Sequence, residues 1–208
     1  MDKNTQLMYR MIEYDKKDAK RIQHFIKVHD LSVLIGKMEN IPEETLFILE
    51  AAAILHDIGI HISEEKYGSC SGKYQEIEGP AEAEELLKEV GGYTASQIER
   101  IKYLIGHHHT YNNIDGADYQ ILVEADFLVN LYEDNSQISA VNNAKEKIFK
   151  TKSGIKILEH MFWWGYVGIL LSDAGSRQEA VPHLIFITAV ITWKTSEACF
   201  MFLIISIV

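Results

Sequence analysis

Leu49-Glu50-Ala51-Ala52-Ala53-Ile54-Leu55-His56-Asp57-Ile58-Gly59 is the stretch on which the reading of the whole chain turns. Upstream of it, Asn40-Ile41-Pro42-Glu43-Glu44 starts a helix, with Pro in the first turn and two acids at the positive end of the helix dipole. The helix predicted from there runs through Leu46, Leu49, Ala52, Ala53 and Leu55 and ends at Gly59. Its stretch Ala51 to Leu55 is Ala-rich and uncharged, which predicts deep burial. His56 and Asp57 close it. A carboxylate buried beside an imidazole costs on the order of several kcal/mol unless a cation or hydrogen bonds compensate. Two readings of the dipeptide stand level at this point: a metal site, or a helix terminus capped by His56 with Asp57 paired to a lysine.

Outward from this helix the pattern stays helical. Asp18 to Lys37 carries Ile22, Phe25, Ile26, Val28, Leu31, Val33 and Leu34 on a broad apolar face. Thr94-Ala95-Ser96-Gln97 fits a capping box and opens a helix to about Gly106. Pro80 to Val90, Gln120 to Glu133, Ser136 to Lys150 and Ser153 to Phe162 read as further helices, and Ser63 to Gln75 as a loop. No strand pattern emerges, so the fold class is all-α.

Composition agrees with a folded core: 47% of the 208 residues are hydrophobic and 24% charged. A net charge of -10 argues against nucleic acid as a partner, since phosphate backbones need clustered Lys and Arg. A small phosphorylated ligand is compatible with it, because a bound cation reverses the local field. Cys70 and Cys199 form no metal-type pair and no disulfide framework. With no signal peptide in Met1-Asp2-Lys3-Asn4-Thr5-Gln6, a reducing cytoplasm is the expected setting. After about Met161 the composition changes. Residues 163–208 hold all three Trp, and Leu184 to Val208 is strongly apolar. Lys194, Thr195, Ser196 and Glu197 interrupt that run near its middle, so a membrane span is not expected. The expected organisation is one domain over 1–162 and a hydrophobic extension of unassigned role over 163–208.

Two further elements carry chemistry. His107-His108-His109 follows Tyr103-Leu104-Ile105-Gly106 at a helix end, where imidazoles favour the negative end of the dipole or bind metal. Asp126 sits in Leu122-Val123-Glu124-Ala125-Asp126-Phe127-Leu128-Val129, on an apolar face whose flanking turns hold no Lys or Arg. A carboxylate there needs a partner from elsewhere.

Together with His24-Phe25-Ile26-Lys27-Val28, these motifs give the order His, His-Asp, further His, late Asp. In that order, and in the Leu-His-Asp-Ile-Gly context, the chain resembles the HD superfamily of phosphohydrolases over roughly residues 18 to 161. The resemblance implies an all-helical bundle and a divalent metal held by His24, His56, Asp57 and Asp126. It implies hydrolysis of a small phosphate ester, often a nucleotide. Mixed imidazole and carboxylate donors suit Mn, Fe, Co, Ni or Zn better than Mg. In that setting Asp57 would orient water, and His107 or His108 would neutralise charge or protonate the leaving oxygen. Lys66 and Lys73, on the expected loop, are candidates for phosphate contact. Metal-pair members carry a further His before Pro after the loop; Gly79-Pro80 stands there, so one ion is expected. Two other readings keep the fold: a sensor module that retains the site without turnover, and a diiron oxygenase, which needs a fuller ligand set. Of the two histidines on the first helix, His24 and His29 point about 140° apart at ~100° per residue. His24, four residues before Val28, is the expected ligand, with His29 paired beside Asp30.

Overall fold

The structure is a computed structural model, and it describes residues 1–162. The expected hydrophobic extension, 163–208, lies outside the described residues. The described part is helical throughout: α1 (Lys3–Tyr14), α2 (Ala19–Met38), α3 (Glu43–Leu55), α4 (Ile60–Tyr67), α5 (Gly72–Val90), α6 (Ala95–Ile105), α7 (Gly116–Glu133), α8 (Ile138–Lys147) and α9 (Lys152–Phe162). No strand occurs among the described residues.

The quoted stretch lies at the centre. Residues 51 to 55 have no exposed surface, because α3 is packed by α1, α2, α6 and α7 on its several sides. The small alanines let those neighbours come close. α2 also packs along α7, so α2, α3 and α7 form a three-helix core. α5 lies on α6, α4 and α1, and α8 and α9 close the far side of α7.

Local signals explain most helix starts. Asp18 accepts the Arg21 amide at 3.0 Å to cap α2, and Thr94 and Gln97 form both bonds of the capping box on α6. α1 was not among the expected helices. Its signal was an Asp2 cap, bonded to the Thr5 amide at 2.9 Å, followed by the buried face Asn4, Leu7 and Met11.

The expected loop from Ser63 to Gln75 is largely helix. Only residues 68–71 separate α4 from α5. α4 is too short for its period to show in sequence, and packing on α5 holds it. α5 likewise begins well before Pro80 and runs through it; the ring removes one backbone bond but does not end the helix. Its crossing with the end of the His-Asp motif is backbone on backbone. A Cβ at Gly59 would lie 2.8 Å from the Gly79 nitrogen, and one at Gly79 2.8 Å from Ile105 Cγ2. A side chain at 79 would have to displace the Ile105 methyl.

Candidate metal centre

Four elements deliver polar side chains to one buried point: α2 brings His24, the end of α3 His56 and Asp57, the turn after α6 His108, and the middle of α7 Asp126. His56 and His108 have no exposed surface; His24 is 8% and Asp126 4% exposed. The Asp57 side chain is 23% exposed, and through it the cluster meets solvent.

The ring orientations follow from what each Nδ1 does. His24 Nδ1 faces Glu133 Oε2 at 3.1 Å, His56 Nδ1 the Ala53 carbonyl at 2.9 Å, and His108 Nδ1 the Ile105 carbonyl at 2.8 Å. Each partner is an acceptor, so each Nδ1 carries the hydrogen and each Nε2 is left with its lone pair. Those three Nε2 atoms converge. His24 Nε2 and His56 Nε2 are 3.2 Å apart, and each faces Asp126 Oδ1, at 3.2 and 3.6 Å. Asp57 Oδ2 stands 3.6 Å from His24 Nε2 and 3.4 Å from His56 Nε2. Its Oδ1 is 3.6 Å from His108 Nε2. His108 Nε2 is buried without a hydrogen-bond partner among the described residues.

Acceptors aimed at acceptors in a buried pocket are stable only around positive charge. The titration behaviour says the same. Burial by itself would lower the His24 pKa, but Asp126, Asp57 and Glu133 overcome it and push it up to about 9. Burial also opposes the charging of His56, and Asp57 again reverses the sign. Asp57, against its own burial, is held well below the carboxylate range by His56 and His108. Protons here stand in for a cation. The donor set, two imidazoles and two carboxylates with an orphaned third imidazole nitrogen, fits a transition-metal ion.

His24, His56 and Asp57 form one group with metal-holding spacing, and Asp57, His108 and His109 a second that shares the carboxylate. The structure therefore brings together His24, His56, Asp57, Asp126 and His108 from the expected set. It does not bring His107, which turns outward: its Nδ1 bonds the Tyr103 carbonyl at 2.7 Å and its ring stacks on Tyr103 at 4.2 Å. His109 takes the inward place instead. It is tied to Gln75 Oε1 at 3.3 Å, and burial and His108 lower its pKa to about 4. Gln75, one turn before Gly79, thus reaches a ring of the triplet from α5, while its neighbour Glu76 accepts the His109 backbone amide at 3.0 Å. His29 pairs with Asp30 at 3.0 Å.

Sequence reasoning missed two supporting groups. Glu133 holds His24 and is itself held by Lys27 at 2.6 Å; Asn130 donates to Asp126 Oδ1 at 2.8 Å. The signal was present, since Asp126, Asn130 and Glu133 follow i, i+4, i+7 and form a polar stripe on an apolar helix.

A cavity of about 390 Å³ opens over His24 and Asp57, walled by the start of α2 and the end of α7. Its cations are Lys20 and Arg21. Lys66 and Lys73 are not among its walls; Lys66 pairs with Glu78 at 2.6 Å.

An all-helical bundle whose core helices converge on a His/Asp cluster is the class that fold and site define. The HD domain family model matches residues 21–143, and the chain belongs to that family, one of a superfamily of metal-dependent phosphohydrolases. Among solved structures it is similar to a predicted HD superfamily hydrolase from an uncultured Thermotogales bacterium. The identity is 24%, over 82% of this chain and 92% of that one, with a TM-score of 0.59. That likeness bears on the fold. No curated protein matches.

Proposed function

We propose that the protein is a metal-dependent phosphohydrolase acting on a small phosphate ester such as a nucleotide, in a reducing cytoplasm. One observation carries the reading: three imidazole Nε2 lone pairs and two carboxylates converge on one buried point, beside an open cavity. His24, His56, Asp57 and Asp126 would hold one ion tightly. Bound there, a divalent ion supplies a water of lowered pKa and polarises a phosphoryl oxygen.

The chain's own groups do the rest. Asp57, kept ionised by His56 and His108, accepts a hydrogen bond from the attacking water and aims its lone pair at phosphorus. Glu133 and Asn130 lock His24 and Asp126 in place, so little reorganisation accompanies reaction. His109 is neutral near pH 7, so it offers hydrogen bonds rather than charge.

The test is phosphate release from a panel of nucleotides and simple phosphomonoesters, with Mn or Co supplied. Turnover abolished in Asp57→Ala is expected. A metal-loaded protein inert on the whole panel would instead make it a sensor.

A further inference from the structure

We propose that the cavity accepts an ester bearing a single phosphoryl group rather than a polyphosphate, and that Lys20 is the side chain that contacts that group. The proposal rests on the phosphohydrolase reading and adds to it a substrate class and a binding residue.

Register places Lys20 first. It precedes His24 by four residues on α2, so its side chain lies on the same face, one turn nearer the N-terminus, and it lines the cavity. It is exposed and forms no ion pair among the described residues. Arg21, the other cation in the wall, is already engaged. Its Nη2 donates to Glu64 Oε1 at 2.6 Å, its Nε lies 3.4 Å from Asp18 Oδ2, and its Nη1 meets His61 Nδ1 at 3.0 Å. His61 is fixed in turn by Asp15 at 2.9 Å. Only Lys20 among the lining cations is free to follow a ligand.

Beside Ile60, Cys70, Asn130 and His24, the rest of the wall is carboxylates. Asp18, Asp57, Glu133 and Asp134 face the same space; Arg21 is engaged by Asp18 and Lys27 by Glu133. One phosphoryl group can sit between the cluster and Lys20. Each further phosphoryl group would bring more negative charge towards these carboxylates, with no unengaged cation left in the wall to receive it. Fields of this kind change local ion concentrations by roughly 10-fold or more. The cavity volume also lies near the low end of the ~300–1,000 Å³ usual for ligand sites. Chemically, water adds to phosphorus, the ester P–O bond breaks, and the leaving oxygen departs with a proton. The products are orthophosphate and an alcohol.

The experiment uses the full chain loaded with Mn and has two arms. The first is orthophosphate binding by calorimetry, with metal content checked in each variant. Lys20→Ala should weaken it about tenfold or more, Lys20→Arg should restore most of it, and Lys37→Ala, on the far end of α2, should leave it unchanged. The second compares a nucleoside mono- and triphosphate: kcat/KM should favour the monophosphate at least about tenfold, and Lys20→Ala should act mainly on KM. Unchanged orthophosphate binding in Lys20→Ala overturns the residue assignment, and a triphosphate cleaved as well as the monophosphate overturns the substrate class. Inertness on every ester, with orthophosphate binding still dependent on Lys20, removes the phosphohydrolase reading and upholds the subsite.

Discussion

Glu124 and Asp126 are two residues apart on α7, both buried, and the protein treats them in opposite ways. Glu124 is surrounded by donors. Its Oε1 accepts the Lys150 and Thr151 amides at 2.6 and 2.8 Å and the Gln120 amide at 2.8 Å, and its Oε2 the Thr151 hydroxyl at 2.5 Å. Asp126 has one neutral donor, Asn130, and otherwise faces imidazoles and Asp57. The electrostatics diverge accordingly. Burial raises the Glu124 pKa, and its neutral donors offset that only in part. Burial raises that of Asp126 too, but His24 and His56 bring it below the usual value. A buried carboxylate answered by amides and hydroxyls is a structural clip. One answered by groups that themselves want positive charge could hold a cation.

The sharpest way to break this contrast is Asp126→Ala. Metal affinity should fall by more than the ~10–100-fold typical of losing a supporting partner, measured by calorimetry and metal analysis. Full metal content in that variant would end the account of the centre. Glu124→Ala should do the reverse. It strands two amides and a hydroxyl at the α8–α9 junction, a half-exposed turn where water meets part of the ~1–3 kcal/mol that each fully buried group would cost, so urea denaturation of the metal-free protein should show a loss of roughly 2–4 kcal/mol. Metal affinity should stay within about threefold of wild type. Gly154→Ala should resemble it, because a Cβ at Gly154 would overlap Glu124 Oε2. A Glu124 variant that keeps its stability and loses metal would merge the two sites into one.

Glu133 sharpens the comparison from the other side, as a carboxylate that acts through a ligand. Glu133→Ala should lower metal affinity about 10–100-fold, while Glu133→Gln, which can still accept from His24 Nδ1, should recover part of it. Equal loss in both would point to charge rather than orientation.

How much of this the sequence disclosed depends on where the deciding partner lies. His24, His56, Asp57 and Asp126 were legible because their motifs keep a fixed order on helices whose faces can be read. The burial of Asp126 without a local cation was legible too. Glu124 shares that apolar run and lacks a local cation equally; what separates it from Asp126 is the Lys150–Thr151 turn, which no pattern within α7 announces. The helices with caps and clear faces were found. α4 was lost because eight residues between Gly59 and Gly68 are too few to show a helical period and run into a Gly- and Ser-rich stretch, and Lys66 and Lys73, read as part of a loop there, became candidates for phosphate contact. The wall cations Lys20 and Arg21 sit instead in the first turn of α2, an unfavourable place for positive charge by dipole alone, where Asp18 and Glu64 answer Arg21 and no pattern within the helix points to a ligand.

The smallest expected effect falls on the histidine triplet, where adjacency hides a division of labour. Past Ile105 the chain leaves α6 through a tight turn in which the His107 amide bonds the Leu104 carbonyl at 3.2 Å and the Thr110 amide the His107 carbonyl at 2.7 Å. In such a turn successive side chains fan out, so the three imidazoles cannot share one target. His107 goes to the Tyr103 ring, while His108 packs edge-on against His56 at 5.4 Å between centroids. His107→Ala should therefore change metal content and turnover by less than about twofold. What it removes is an exposed ring stack, on the order of ~0.5–1.5 kcal/mol at most. His108→Ala removes the Nε2 that faces Asp57 and should reduce turnover clearly in the same assay. If His107→Ala were the damaging change and His108→Ala the silent one, the turn would be wound the other way, and the second group of ligands on Asp57 would have to be rebuilt around His107.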